Sequence, residues 1–220
     1  MTTPFAAVLW DMDGTLVDTE PYWVDAEFAL AARHGGEWSH DHALNLVGND
    51  LLDSGHYIRR HMGIDVEPAA IVEELLDDVV RRVEVEVPWC PGARELLESL
   101  VAGGVPCALV TMSYRRFVDP ILAGLAAGTF TEVVTGDSVT RGKPHPEPYL
   151  TAARLLGVAA GDCLAIEDSE PGATSAVAAG CTTLVVPNHV PVAPGPGRVH
   201  AETLVGLDVT RLRALAGAAR

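Results

Sequence analysis

The chain reads as an α/β protein. It is a doubly wound parallel sheet with helices on both faces, interrupted after its first strand by an all-helical insert. Three observations predict this. An apolar run, Phe5-Ala6-Ala7-Val8-Leu9, reads as a buried strand. Residues 17–88 then carry helical patterning with no strand among them. Beyond the Pro/Gly punctuation of Val87-Pro88-Trp89-Cys90-Pro91-Gly92, strands and helices alternate, the pattern of a parallel sheet.

The elements follow in order. Thr19-Glu20-Pro21 has the form of a helix start, with Pro in the first turn. The helix over 21–34 carries Trp23, Phe28, Leu30 and Ala31 among charges and stops at Gly35-Gly36. Segments 40–62 and 67–84 are two further helices; in the second, Asp77/Arg81 and Asp78/Arg82 stand at i,i+4, which suits a solvated face. After the punctuation come helix 93–102, strand 105–110, helix 114–126, short strand 132–135, helix 146–156, strand 162–166, helix 170–179 and strand 182–186. Residues 187–199, rich in proline and glycine, read as a loop, and the Ala/Leu-rich 208–219 as a closing helix. Two domains are expected, 1–16 plus 90–220 forming the sheet domain and 17–89 the helical one. The helical domain hangs on the Gly14–Thr19 and Pro88–Gly92 connections, beside the first strand end, where it can act as a lid.

The 220 residues, 48% hydrophobic, suffice for one core and a smaller appended domain. A net charge of −15 repels nucleic acid, so no nucleic-acid partner is expected, and any phosphate site must be made locally positive by a metal, a lysine or backbone N–H groups. Cys90, Cys107, Cys163 and Cys181 form no C-x-x-C pair and read as reduced thiols, Cys107 and Cys163 as small core residues. The start of the chain has no signal-peptide pattern, and no apolar stretch is long enough to span a membrane, so a cytoplasmic protein without a membrane partner is expected.

The chemistry gathers at strand ends. Two carboxylates at i and i+2 of an extended chain, Asp11 and Asp13, point to one face. Close together they repel, and a bound cation or electrophile relieves them. Gly14 lets the backbone turn away. In open α/β sheets ligands bind at the carboxyl ends of strands. There this chain places Thr111-Met112-Ser113, Glu167-Asp168-Ser169 and a loop with Gly142-Lys143-Pro144. Nucleophile, proton shuttle, phosphate clamp and hard-metal ligands for phosphoryl transfer are all present.

Asp11-Met12-Asp13-Gly14-Thr15, Leu109-Val110-Thr111, Gly142-Lys143-Pro144 and Ile166-Glu167-Asp168-Ser169 together resemble, in order and spacing, the four motifs of the haloacid dehalogenase superfamily. The helical insert resembles that superfamily's first-type cap, and the fold implied is its Rossmann-like core. Gly-Lys-Pro-His-Pro-Glu-Pro-Tyr and Glu-Asp-Ser-Glu-Pro-Gly further resemble the subgroup that holds beta-phosphoglucomutase and small sugar-phosphate phosphatases. The resemblance implies Asp11 as nucleophile forming an aspartyl-phosphate and Asp13 as general acid and then base, its main-chain carbonyl on the metal. Thr111 and the Met112 N–H would hold a phosphoryl oxygen, and Lys143 would neutralise the phosphoryl group and Asp11. Asp11, Asp13, Glu167 and Asp168 would hold Mg2+, with Asp168 the first choice for a direct ligand and Glu167 acting directly or through water. Ser113 is expected as N-cap of the following helix, and Ser169 as a cap or supporting partner.

The remaining candidates are weaker. His40-x-His42 lacks the companions of a zinc site and reads as a solvated loop. His145, between two prolines, reads as a loop-stiffening residue. Trp23, Asn49, Asp50 and His56 are candidate substrate contacts on the insert. The Asp at position 13 points to phosphate monoesters or a mutase, since relatives that cleave carbon–halogen or carbon–phosphorus bonds lack it. Trp23 stands where the resembling mutases carry a cap His, and Val47-Gly48-Asn49-Asp50-Leu51-Leu52 lacks their cap Arg. The expectation is therefore a Mg2+-dependent phosphatase of a small, sugar-phosphate-like metabolite, a monomer or weak dimer. A hexose phosphomutase and a non-catalytic receiver-like phosphoacceptor are the alternatives. The motif order and Asp13 favour turnover over the receiver.

Overall fold

A computed structural model describes residues 5–218. The expectations for residues 1–4 and 219–220 lie outside the described residues. The sheet domain begins with β1 (Ala7–Trp10), and its other strands are β2 (Cys107–Val110), β3 (Glu132–Val134), β4 (Cys163–Glu167), β5 (Thr182–Val185) and β6 (Arg198–His200). They form one sheet in the order β3-β2-β1-β4-β5-β6, every pairing parallel. β1 lies between β2 and β4, with Leu9 opposite Ala108 on one side and Ala165 on the other. β1, β2 and β4 are buried along their whole length, as continuous apolar runs in a two-sided parallel sheet must be.

Helices α1 (Glu20–His34), α2 (His40–Leu44), α3 (Leu51–Met62) and α4 (Pro68–Val85) fill the insert. α5 (Ala93–Ala102), α6 (Arg115–Ala123), α7 (Glu147–Leu155), α8 (Glu170–Ala179) and α9 (Val209–Ala218) flank the sheet. One apolar cluster runs from Trp10 and Leu109 in the sheet through Leu16 and Phe117 to Trp23, Leu30, Ile71 and Leu75 in the insert. A second, around Leu9, Val110, Tyr149 and Ala165, fills the other face of the sheet. The two halves also meet at the surface. Arg116 of α6 bonds Glu73 of α4 at 2.9 Å and Asp77 of the same helix. No described helix is long and apolar enough to cross a membrane.

Three elements depart from the sequence reading. The helix expected over 40–62 is broken between Leu44 and Leu51. Gly48 takes φ 76, a left-handed conformation that favours glycine, and Asp50 starts α3 by accepting from Leu52 N at 2.8 Å and Asp53 N at 3.3 Å. The break brings Val47, Gly48 and Asn49 to the cavity between insert and sheet. The loop expected over 187–199 ends in β6, too short for a periodicity to show. β4 runs one residue beyond its expected end and takes in Glu167.

Candidate active site

The Asp11 N–H donates to the Ile166 carbonyl at 3.0 Å, which ties the residue after β1 to the neighbouring strand. Asp11 is 6% exposed. Oδ1 accepts from Lys143 Nζ at 2.5 Å, and the same ammonium reaches Glu167 Oε1 at 2.6 Å. Glu167 is fully buried, and both of its oxygens are occupied. Oε1 also accepts from the Tyr149 hydroxyl at 2.6 Å; Oε2 accepts from Asp168 N, Ser169 N and Ser169 Oγ at 3.1–3.4 Å. Ser169 is both that supporting partner and the N-cap of α8, accepting from Gly172 N at 3.2 Å. Among the described residues the Asp168 carboxylate has one side-chain donor, Thr15 Oγ1 at 3.3 Å.

Burial raises the Asp11 carboxyl to about 7, helped by the Glu167 charge and opposed by Lys143. Burial likewise pushes Asp168 well up, with the charges of Asp11 and Glu167 adding to it. Burial alone would lower the Lys143 pKa, but Asp11 and Glu167 outweigh it and hold the ammonium charged. Three buried acids thus share one cation. Asp11 Oδ2 is buried with no hydrogen-bond partner, and Asp11, Glu167 and Asp168 offer oxygens within 4.8 Å of one another. An orphaned carboxylate oxygen in an all-oxygen cluster fits a hard divalent cation.

Glycines keep this corner tight. Gly14 has φ 88, and a Cβ there would collide with the Asp168 carboxylate. Gly14→Ala is expected to displace Asp168 and to raise the metal concentration for half-maximal activity by about tenfold or more, read from a Mg2+ titration of turnover.

Asp13 has different partners. Thr19 Oγ1 donates to its Oδ1 at 2.5 Å, and Ser113 Oγ and Thr111 Oγ1 donate to Oδ2 at 2.8 and 3.3 Å. β1 ends at Trp10, before the pair, so strand alternation does not itself place Asp11 and Asp13, yet both line one cavity. The Asp13 carboxylate is outside the group of three acids whose oxygens converge. Ser113 is not the cap of α6; Tyr114 holds that position, and the Ser113 hydroxyl serves Asp13. The Met112 N–H finds no protein acceptor among the described residues, and the Met112 sulfur accepts from Lys143 N at 3.1 Å. Asp11, Asp13, Thr111, Met112, Ser113 and Lys143 line one cavity.

The insert closes that cavity with Trp23, Asn49 and largely apolar side chains. Trp23 packs edge-to-face on Phe117, centroids 5.4 Å apart. Asn49 lines the cavity while its amide donates to Asn45 O at 2.8 Å. Asp50 is a helix cap, and His56 is exposed on α3 away from the cavity. His42, expected in a solvated loop, sits in α2 against Trp38, 4.9 Å between ring centres. His145 Nδ1 accepts from Glu147 N at 3.1 Å, a local loop contact.

Two insert carboxyls escaped the sequence reading. Glu27 and Glu20 both line the cavity. Glu27 is 4% exposed and accepts from Trp38 Nε1 at 2.9 Å. Its spacing from Trp23 and Leu30, one helical turn each way, was the available signal. Burial lifts Glu27 to about 7 and Glu20 to about 8, neighbouring carboxylates adding to the latter. A raised folded-state pKa means that the native state binds the proton more tightly than the unfolded chain. The contribution of Glu27 to stability is therefore fully present at low pH and falls as pH rises from about 4.5 through 7. Urea unfolding of the metal-free protein should lose stability over that window, and Glu27→Gln should remove roughly 1–3 kcal/mol of the loss.

A family model described as haloacid dehalogenase-like hydrolase matches residues 8–186. The chain belongs to this family. Hexitol phosphatase A of Escherichia coli (strain K12) is 37% identical over 184 residues, covering 81% of each chain. Phosphoglycolate phosphatase of Shigella boydii serotype 4 is 32% identical over 199 residues, covering 80% of this chain and 79% of that protein. The crystal structure of a mutant CbbY from Rhodobacter sphaeroides, in complex with xylulose-(1,5)bisphosphate, superposes with a TM-score of 0.82 at 25% identity, covering 92% of this chain and 96% of that one.

Proposed function

We propose that this haloacid dehalogenase-like hydrolase is a Mg2+-dependent phosphatase of a small phosphate monoester, working through an aspartyl-phosphate on Asp11. The observation that carries this reading is the Lys143 ammonium shared by Asp11 and Glu167, beside the partnerless Oδ2 of Asp11. Asp11 attacks phosphorus as the ester P–O bond breaks, and Asp13 gives its proton to the departing alkoxide oxygen. Asp13 then takes a proton from water as that water attacks the phospho-aspartate, releasing phosphate and restoring Asp11. Lys143 stays protonated throughout and offsets the phosphoryl charge. Thr111, Ser113 and the Met112 N–H hold phosphoryl oxygens and keep Asp13 in place.

Asp11, Asp168 and the Asp13 main chain would hold Mg2+, which supplies charge neutralisation at the phosphoryl oxygens. Glu167, its acceptors already filled, positions Lys143 and the Asp168 loop. Residues 17–89 act as a cap that excludes water, and the chain works in the cytoplasm. Hydrolysis is favoured over mutase chemistry because Lys143 is the one cationic side chain lining the cavity among the described residues, which leaves a second phosphate without a clamp. Phosphate release from p-nitrophenyl phosphate should require Mg2+ and stop in EDTA. Metal-independent release, or none with any ester, would sink the reading. In the same metal titration the melting temperature should rise with Mg2+, since a ligand held only by the native state stabilises it by mass action.

A further inference from the structure

The cavity has a phosphate end and a leaving-group end, and the two differ in charge. Lys143 and the hydroxyls of Thr111 and Ser113 mark the first. On the second, the insert presents Glu20, Glu27, Asn49 and Ser54, and no Lys or Arg among the described residues. Glu27 is nearly fully buried, with Trp38 as its hydrogen-bond partner; the Glu20 side chain has no hydrogen-bond partner among the described residues. Glu20 is half-buried at the cavity wall. A carboxyl removed from water, as that of Glu27 is, is costly unless a partner is supplied.

We infer that Glu27 and Glu20 read hydroxyl groups of the leaving alcohol, so that the substrate is a polyol or sugar monophosphate whose leaving group carries no second charge. This rests on the phosphatase reading above. A carboxyl matches a hydroxyl in either protonation state, accepting its proton or donating one back. A second phosphate or a carboxylate on the substrate would lose its hydration at this end with no cation to replace it. An ammonium-bearing alcohol is the other partner that carboxyls could take. The site disfavours it, because burial holds both carboxyls toward their neutral form and the remaining polar groups, Asn49 and Ser54, are uncharged.

The test is a steady-state comparison with Mg2+ of a hexitol monophosphate, 2-phosphoglycolate, a pentulose 1,5-bisphosphate, phosphocholine and p-nitrophenyl phosphate. The hexitol ester should exceed phosphoglycolate, bisphosphate and phosphocholine in kcat/KM by about tenfold or more. Glu27→Gln and Glu20→Gln should each lower the ratio of kcat/KM for the hexitol ester to that for p-nitrophenyl phosphate, which has no hydroxyl, by about fivefold, chiefly through KM. Preference for an anionic or ammonium ester overturns the inference and leaves the phosphatase reading standing. So does a ratio unmoved in both variants. Absence of turnover with every ester removes the phosphatase reading instead. Circular dichroism melts of each variant separate lost binding from lost folding, and two variants on different helical turns keep the result decisive if one fails to fold.

Discussion

Asp11→Asn should abolish phosphate release, by about 10⁴-fold or more, while the protein stays folded. An amide keeps the shape and an oxygen that can accept from Lys143, so the bond to Nζ survives. It cannot attack phosphorus. The fold should gain, because the carboxylate it replaces is unfavourable there: burial and the Glu167 charge raise Asp11 to about 7. In metal-free buffer near pH 8 the variant should melt at or above the wild-type temperature. Near pH 5, below that raised value, the difference should shrink. Melts at both pH values, beside single-turnover phosphate release, check both halves. Turnover within tenfold of wild type would remove Asp11 as nucleophile.

Lys143→Met should cost both activity and stability. The ammonium is 2% exposed in its side chain and pairs with two buried acids at 2.5 and 2.6 Å. Breaking a buried pair from one side leaves charge uncompensated, a loss of about 3–5 kcal/mol. For a chain of this size that lowers the melting temperature by roughly 10 °C. The deficit should be smallest near pH 5, where the acids left behind can take up protons, and should grow as pH rises. Mg2+ should recover part of it by supplying the missing positive charge. Urea titrations with and without Mg2+ across pH 5–8 measure this. A pH-independent loss unaffected by metal would mean that Lys143 packs rather than pairs.

The sheet and its helices were legible in the sequence because apolar runs and Pro/Gly punctuation mark them. Local signals failed where a single backbone choice decides. Gly48 breaks the helix over 40–62 and β6 forms from three residues, and neither leaves a periodic trace. Most motif residues were legible because they stand at or just after strand ends, as Asp11, Thr111, Glu167 and Asp168 do. What Ser113 and Tyr149 do was not, since their partners, Asp13 and Glu167, lie far away in the chain. The division of labour proposed for Glu167 and Asp168 rests on one residue of strand length. Glu167, last in β4, is turned into the sheet among five donors, whereas Asp168 follows it beside Thr15.

The Arg116 bridges to Glu73 and Asp77 join the sheet domain to the insert at the solvent surface. Exposed pairs of this kind contribute about 0–1 kcal/mol each and weaken with salt. With residues 17–89 acting as the proposed lid, such pairs are too weak to hold it shut and strong enough to change how frequently it opens. The buried chemistry, screened from the medium, should be nearly indifferent to ionic strength, whereas the escape of inorganic phosphate past the insert should not. A cell's salt content would then act on the pace of product egress without touching the bond that is broken.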